Sequence, residues 1–179
     1  SEMCIRDRDD TWHDFFYTEL TTGLRRGEIQ TISTDHCSFT LAQKDAGRED
    51  FTKIPGGLPG VETRGELIYS YGVAAKKLSL AQMCRVLSEN PAKLYGLYPR
   101  KGVLAPGSDA DIVIYDPGDS HVIRAEDCVA NVDYNPYEGF VTAGGIREVW
   151  LRGRKTVENG KVLDTVPAGM YLARGKCDL

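Results

Sequence analysis

The stretch that says most about the fold is Glu28-Ile29-Gln30-Thr31-Ile32-Ser33-Thr34-Asp35-His36-Cys37. Apolar and polar residues alternate from Glu28 to Ser33, a pattern that predicts a short β-strand. Asp35 then lies where the strand ends and a loop begins. In a barrel of alternating strands and helices, this rim of the sheet carries the catalytic residues. The stretch therefore predicts an α/β fold and makes Asp35 the leading candidate for a catalytic residue.

Helical patterns lie on both sides of this stretch. Apolar residues spaced three and four apart predict a helix over residues 11–26, whereas residues 1–10 show no periodicity and are interpreted as a foreign leader. A long loop rich in glycine and proline is expected over residues 43–60. After this loop, the apolar spacing predicts a helix from Val61 to Tyr71 that Gly72 ends.

Two further helix starts carry specific signals. Ser79 is predicted to cap the next helix, because Gln82 follows three residues later and completes a capping box. Asn90-Pro91 is predicted to restart a short helix over Pro91 to Tyr95, with the proline in its favoured first turn. Residues 11–98 are therefore expected to form one α/β unit.

β-Branched and turn-forming residues replace the helical pattern from residue 99 onward. Short strands are predicted at Ile112–Tyr115, His121–Arg124, Ile146–Arg152, Lys155–Glu158 and Lys161–Leu163. Asn159-Gly160, between the last two strands, is a strong hairpin signal. We therefore expect a small antiparallel sheet within a second unit, residues 99–179.

The composition is that of an ordinary globular protein. The 179 residues are 41% hydrophobic and 27% charged, and the net charge of −4 argues against binding to nucleic acid or to an anionic membrane. No apolar run approaches the ~20 residues that a membrane-spanning helix needs, and residues 1–10 lack the apolar core of a signal peptide. The five cysteines form no Cys-x-x-Cys pair, which predicts reduced thiols and a cytoplasmic location.

Histidines are too few for a complete hydrolytic metal centre. The chain has three, His13, His36 and His121, and neither a His-x-His nor a His-Glu-x-x-His motif occurs. Metal hydrolases need several histidine or carboxylate ligands that converge on one point. The sequence thus predicts one catalytic group, Asp35, without the rest of a metal site.

Two segments of the second unit resemble the composite β-sandwich of the amidohydrolase superfamily. They are Gly102-Val103-Leu104-Ala105-Pro106-Gly107-Ser108-Asp109-Ala110-Asp111-Ile112-Val113-Ile114-Tyr115-Asp116 and Val149-Trp150-Leu151-Arg152-Gly153-Arg154-Lys155-Thr156-Val157-Glu158-Asn159-Gly160. These two segments indicate the superfamily and no finer division of it.

A finer resemblance is to the dihydropyrimidinase and D-hydantoinase family. The segments that carry it are Thr34-Asp35-His36-Cys37-Ser38-Phe39, Gln43-Lys44-Asp45-Ala46-Gly47, Asp50-Phe51-Thr52-Lys53-Ile54-Pro55, Gly60-Val61-Glu62-Thr63-Arg64, Asn90-Pro91-Ala92-Lys93, Gly96-Leu97-Tyr98-Pro99-Arg100-Lys101-Gly102 and Asp133-Tyr134-Asn135-Pro136-Tyr137-Glu138-Gly139. Together they extend the resemblance from about Gly23 to about Arg174.

The resemblance implies a metal-dependent (β/α)8 hydrolase barrel with a β-sandwich built from both ends of the chain. Residues 23–98 would supply the last barrel strand and its helices, and residues 99–174 the C-terminal part of the antiparallel sandwich. A whole barrel needs ~250 residues, more than the 179 present. The chain is therefore expected to be a C-terminal fragment, with most metal ligands of the family upstream of it.

The resemblance also implies hydrolysis of the cyclic amide bond of dihydropyrimidines or hydantoins. Two divalent metal ions, expected to be zinc, would activate the attacking water in the intact enzyme, and this chain alone is expected to be inactive. Asp35 would be both a metal ligand and the acid/base that moves the proton. Gly56 stands where the family usually has Asn and would contact the substrate ring through its main chain. The implied partners are a small cyclic amide and, in a homotetramer, further copies of the intact enzyme.

Other chemistry-bearing residues have simpler explanations. His36 is expected to support a neighbouring ligand or to pack, and Cys37 to fill a buried apolar space. His121 lies in the sheet region with no ligand at suitable spacing, so it is expected to be structural.

Charged residues near the turns are also expected to be structural. Glu62 and Arg64 are predicted to pair with each other at the end of the long loop. Arg100-Lys101 is predicted to lie on a solvated edge. Asp109 and Asp111 look like a metal pair, but caps of a tight turn before the strand explain them better.

Other functional classes stay open. Scaffold proteins related to dihydropyrimidinases, the collapsin-response mediators, bind partners without hydrolysis, but they generally replace the acid that corresponds to Asp35. Allantoinases and dihydroorotases are related cyclic amidohydrolases, and the stretches Asp50–Pro55 and Asp133–Gly139 disfavour them. Without the resemblance, Asp35 is more simply explained as a residue that shapes a turn.

Overall fold

The computed structural model describes residues 29–164 and 167–177. The predicted leader, residues 1–10, and the predicted helix over residues 11–26 lie outside the described residues. Within the described part, short helices precede a four-stranded sheet. No helix of this part is long and apolar enough to cross a membrane.

The helices are short and follow one another closely. The α-helical segments are α1 (Leu41–Asp45), α2 (Arg64–Ile68), α3 (Leu80–Cys84) and α4 (Asn90–Leu94). Wider π-helical turns extend two of them, Tyr69–Ala74 after α2 and Arg85–Glu89 after α3. Single 3₁₀ turns lie at Phe51–Lys53 and Ala125–Asp127. Residues 64–74 and 80–94 are therefore two continuous helical rods of mixed geometry.

Capping boxes begin two of the helices. Ser79 Oγ accepts a hydrogen bond from Gln82 N at 3.2 Å, and Gln82 Oε1 accepts one from Ser79 N at 2.8 Å. At α1, Thr40 Oγ1 accepts from Gln43 N at 3.3 Å, and Gln43 Oε1 accepts from Thr40 N at 2.8 Å. The prediction at Ser79 is confirmed. Helix α1 overlaps the predicted loop, although Thr40 and Gln43 carry the same signal.

Gly72 does not end its helix, contrary to prediction. It is buried within the π-helical turn Tyr69–Ala74. A Cβ on Gly72 would lie 3.0 Å from Leu78 Cδ1. The helix ends two residues later, and the carbonyl of Gly72 accepts hydrogen bonds from Lys77 N at 2.8 Å and Leu78 N at 3.0 Å. Glycine is needed here for close packing rather than as a helix stop.

The short helix predicted over Pro91–Tyr95 occurs as α4 (Asn90–Leu94), with Pro91 in its first turn, but the chain does not restart a helix there. Helix α4 continues the rod from α3 through the π-helical turn Arg85–Glu89 without a break. Proline lacks an N–H and its ring crowds the preceding turn of an α-helix. The wider turn directly before Pro91 accommodates the ring, so the helix passes through it.

The strand predicted over Glu28–Ser33 is absent from the described residues. Residues 29–35 belong to no strand, and Asp35 has a left-handed φ of 47°. His36 forms one isolated parallel bridge with Leu58. A strand is stabilised by a run of paired backbone groups in a ladder, which a single bridge does not provide. The prediction that Asp35 ends a strand is therefore wrong for this chain.

A helical rod holds the segment before Asp35 in place. The buried Asn90 donates from Nδ2 to Gln30 O at 2.8 Å, and Ile32 N donates to Val86 O at 3.1 Å. These contacts position the segment from one side, against residues 80–94.

The predicted small antiparallel sheet is confirmed. Its strands are β1 (Ile112–Asp116), β2 (Gly145–Leu151), β3 (Arg154–Glu158) and β4 (Lys161–Val162). They pair in chain order, each antiparallel to the next. Asn159 and Gly160 connect the last two strands with positive φ values of 49° and 74°, as a type I′ turn requires. The strand predicted at His121–Arg124 is reduced to one bridge between Val122 and Val141.

One face of this sheet carries a row of valines. The paired positions across the four strands are Val113, Val149, Val157 and Val162. Directly paired residues of an antiparallel sheet point to the same face. Val113 is 58% exposed and Val162 is 59% exposed. The valine row is therefore a continuous apolar surface that is open to solvent at both ends.

The first helical rod packs on the end of the sheet where β1 finishes and β2 starts. The rings of Tyr69 and Tyr115 lie 4.1 Å apart, and burial raises the pKa of Tyr115 to about 12. Glu66 Oε1 accepts a hydrogen bond from Ile146 N at 3.1 Å, and Glu66 Oε2 lies 3.4 Å from His121 Nε2. These contacts join the helical part to the sheet and agree with the structural role predicted for His121.

An ion cluster lies in the segment that connects the second helical rod to β1. Lys101 Nζ lies 2.9 Å from Asp109 Oδ2 and also contacts Asp111, and Arg100 Nε lies 3.1 Å from Asp109 Oδ2. The hydrogen bond from Lys101 holds the pKa of Asp109 below its usual value. Asp111 also accepts from Arg152 N at 2.8 Å. The predicted solvated edge is therefore wrong at Lys101, because the chain turns back and brings two carboxylates to it.

Gly102 occupies a left-handed and crowded position after α4. Its φ is 86°, and a Cβ there would lie 2.6 Å from Ala92 Cβ and 3.1 Å from Ser88 O. Gly107 has a similar φ of 92°, with nothing within 4 Å of an added Cβ.

We expect Gly107→Ala to cost roughly 1–2 kcal/mol of unfolding free energy, and Gly102→Ala roughly 3–4 kcal/mol because overpacking adds to the strain. Urea unfolding measures both, and equal values would show that the helix yields to the added methyl group.

Candidate active site

Asp35 is the centre of the candidate site. It is exposed, and its carboxylate has no hydrogen-bond or ion-pair partner among the described residues. Its φ of 47° is in the left-handed region, which Asp tolerates better than most residues. Backbone in such sparsely populated regions concentrates at functional sites. The geometry leaves the carboxylate available to a substrate or a cation.

The residues that follow the candidate acid anchor it to the long loop. His36 Nδ1 accepts hydrogen bonds from Gly60 N at 3.1 Å and from Val61 N at 3.3 Å. Cys37 N donates to Leu58 O at 3.2 Å. His36 therefore supports the loop.

Cys37 is exposed rather than buried, contrary to prediction. On the neighbouring segment it lies close to Gly57, which has a φ of 121°. A Cβ on Gly57 would lie 2.5 Å from both Cβ and O of Cys37. Gly57 therefore permits a close approach to Cys37, whose thiol fills no buried apolar space.

Gly56 lies between two restrained peptide groups. Lys44 Nζ donates to Pro55 O at 3.0 Å and to Gly57 O at 2.8 Å. Gly56 itself is exposed, and an added Cβ would meet nothing within 4 Å. Neither its N–H nor its C=O is hydrogen bonded to a described residue. This position therefore offers open main chain, as a substrate contact through the backbone requires.

The bridge between His36 and Leu58 brings the two predicted site residues onto neighbouring segments. Asp35 directly precedes His36, and Gly56 lies shortly before Leu58. The strand-end pattern pointed to Asp35, whereas the family resemblance alone pointed to Gly56. Their proximity depends on a backbone pairing that no local pattern predicts.

Glu62 binds a distant backbone segment instead of Arg64. Its carboxylate accepts hydrogen bonds from Val129 N at 2.8 Å and from Ala130 N at 3.1 Å. The predicted Glu62–Arg64 pair is therefore wrong. Val129 is 67 residues away in sequence, so neighbouring residues could not indicate it as the partner.

Comparison with known proteins identifies the family. The amidohydrolase family profile matches residues 18–162. This chain belongs to that family. Among relatives of this amidohydrolase, the D-phenylhydantoinase of Escherichia coli O1:K1 / APEC is 39% identical over 171 residues, which are 95% of this chain and 35% of the relative. The D-hydantoinase of Streptomyces coelicolor is 42% identical over 159 residues, 88% of this chain and 34% of that protein.

Solved structures place this amidohydrolase among the same proteins. The crystal structure of the dihydropyrimidinase from Brevibacillus agri NCHU1002 superposes with a TM-score of 0.76 at 42% identity, and covers 84% of this chain and 32% of that one. The predicted resemblance to dihydropyrimidinases and D-hydantoinases is thereby confirmed. The chain spans about a third of the length of the relatives it matches.

Amidohydrolases are generally metal-dependent. Among residues 29–164 and 167–177, no group of three or more His, Cys, Asp or Glu side chains is placed to hold a metal ion. Asp35 is an oxygen donor that suits a divalent cation, but one carboxylate does not satisfy the coordination of two cations. Asp35 can therefore supply one ligand of the two-metal site that is predicted for the intact enzyme.

Proposed function

We propose that this amidohydrolase chain is part of a cyclic-amide hydrolase for dihydropyrimidines or hydantoins, in which Asp35 moves the proton. The observation that carries the proposal is the exposed, unpartnered Asp35 carboxylate, held in left-handed backbone beside the open main chain of Gly56. The names of its relatives, D-phenylhydantoinase, D-hydantoinase and dihydropyrimidinase, support the substrate class.

The proton transfer follows from the chemistry of amide hydrolysis. Water that attacks the ring carbonyl must lose a proton, and the leaving nitrogen must gain one. The Asp35 carboxylate accepts the first proton and donates it in the second step. A single group can do both, because the two transfers occur in sequence on the same face of the substrate.

Gly56 suits the recognition of a cyclic amide. In a ring amide the N–H and C=O groups lie on the same side of the C–N bond, so they can be bound together. The N–H and C=O of Gly56 are both free among the described residues. Because the contact uses main chain, glycine can replace the family's asparagine here without loss of the donor or the acceptor.

The proposal extends to the intact enzyme. Two zinc ions with Asp35 as one ligand would supply Lewis acidity there. Further strands would cover the valine row to complete a β-sandwich, and the helical part would flank a (β/α)8 barrel. We further propose a homotetramer in the cytoplasm, a location that suits the four unpaired cysteines of the described residues.

A chimera tests this function. In the D-hydantoinase of Streptomyces coelicolor, the matched 159-residue segment is replaced by the corresponding residues of this chain. We expect the zinc-loaded chimera to open the rings of hydantoin and dihydrouracil, with the ring-opened acids measured by chromatography. A folded, zinc-loaded chimera without turnover on either substrate would refute the proposal.

A further inference from the structure

Lys44 is the residue that holds the Gly56 turn in shape. Its ammonium group donates to the carbonyls on both sides of Gly56, at 3.0 Å to Pro55 and 2.8 Å to Gly57. The lysine is half-buried. Hydrogen bonds from a charged donor are roughly twice as strong as neutral ones. One side chain therefore holds the peptide group before Gly56 and the peptide group after Gly57, on either side of the predicted substrate contact.

Contacts around α1 fix the position of the Lys44 ammonium group in the absence of substrate. Lys44 lies on α1, which the capping box of Thr40 and Gln43 begins. A second restraint comes from Asp133, whose Oδ1 accepts a hydrogen bond from Leu41 N at 2.9 Å. The short helix is thus fixed at its start by both local and distant contacts.

Close backbone packing restrains the other side of the same loop. A Cβ on Gly47 would lie 2.5 Å from Ile54 Cγ1 and 2.6 Å from Ile54 N. Lys44 Nζ also lies 5.7 Å from the centre of the Phe39 ring, a favourable cation–π distance. The Lys44 ammonium is half-buried, but it contacts two carbonyl oxygens and the Phe39 ring, and these contacts stabilise its position.

We infer that Lys44 is a positioning residue for substrate binding. It acts through Gly56. The Pro55 carbonyl shares a peptide group with the Gly56 N–H, and the Gly57 carbonyl belongs to the peptide group directly after the one that carries the Gly56 C=O, so the two bonds restrict how this N–H and C=O can turn. The inference rests on the proposed function for the assignment of Gly56. If Lys44 only stabilised the loop, its loss would lower the stability of the protein. If Lys44 positions the Gly56 turn, its loss lowers the affinity for the substrate.

Three variants separate these roles. Lys44→Met removes the donors and keeps the length of the side chain, whereas Lys44→Arg keeps a cation with several N–H donors. Lys53→Met is the matched control, because Lys53 lies on the same loop with its side chain 71% exposed and 3.4 Å from Asp50.

The kinetic test uses the chimera with hydantoin as substrate. We expect Lys44→Met to raise KM about tenfold while kcat stays within about threefold, the pattern of lost substrate binding. Lys44→Arg and Lys53→Met should keep both constants within about threefold of the parent. If Lys44→Met has the KM of Lys53→Met while Asp35→Asn still abolishes turnover, the inference is wrong and the proposed function stands.

Amide hydrogen exchange on the complete 179-residue chain tests the restraint without any catalysis. Lys44→Met should speed exchange at the Cys37 amide, which is hydrogen bonded to the carbonyl of Leu58 directly after Gly57, at least about tenfold, since local opening sets the exchange rates of hydrogen-bonded amides. Lys53→Met should leave that rate unchanged. Unchanged exchange in Lys44→Met would overturn the inference whatever the chimera does. Faster exchange in an inactive chimera would instead support the restraint and count against the proposed function.

Discussion

Asp35→Asn is expected to lower kcat of the chimera about 10²–10⁴-fold, the usual contribution of a general acid–base group. The amide keeps the shape of the carboxylate but cannot take a proton from water and return it to nitrogen. Asp35 has no ion-pair partner among the described residues, so the substitution removes no salt bridge seen in the structure. Steady-state hydrolysis of hydantoin measures the loss.

Asp45→Asn is the matched control for this substitution. Asp45 is exposed on α1, and its carboxylate lies 3.8 Å from the guanidinium of the exposed Arg48, a surface pair of little energetic value. It should leave kcat unchanged. Zinc content should be measured in both variants, because a loss of metal in Asp35→Asn would assign the effect to coordination. A rate for Asp35→Asn within about threefold of the parent lies far below the expected range and would remove Asp35 from the mechanism.

The isolated 179-residue chain is expected to show no ring-opening of hydantoin or dihydrouracil, even with zinc added. The described residues contain no group of three ligand side chains, and the proposed chemistry needs two cations held close together. Product formation over hours, with the chimera as the positive control, measures this directly. Turnover by the purified chain that a chelator abolishes would show that these residues hold a metal site of their own.

Local signals were sufficient for several elements. The capping box at Ser79 and the Asn159-Gly160 turn both occur as predicted, because each depends on residues within three or four positions of one another. The β-branched run at Ile112–Tyr115 forms a strand, since its preference for extended backbone agrees with the pairing that the fold supplies. The capping box of Thr40 and Gln43 begins α1, so the rule that predicted the helix after Ser79 could also have predicted α1.

Local sequence patterns gave wrong predictions where a long-range contact determined the structure around a residue. Gly72 was expected to end a helix, but close packing with Leu78 keeps it inside one. Lys101 was expected on a solvated edge, but two aspartates reach it after the chain turns back. In each case the residue has an ordinary local preference that a tertiary contact of larger energy overrides.

The sequence by itself determined the family, the antiparallel sheet and the choice of Asp35 as candidate acid, because motifs, alternation and turn residues are local properties. Tertiary structure alone decided what surrounds that acid. It replaced the predicted strand with one bridge between His36 and Leu58, and it placed Lys44 across the Gly56 turn. The physical reason is that a backbone pairing or a lysine–carbonyl bond depends on where the folded chain brings the second partner.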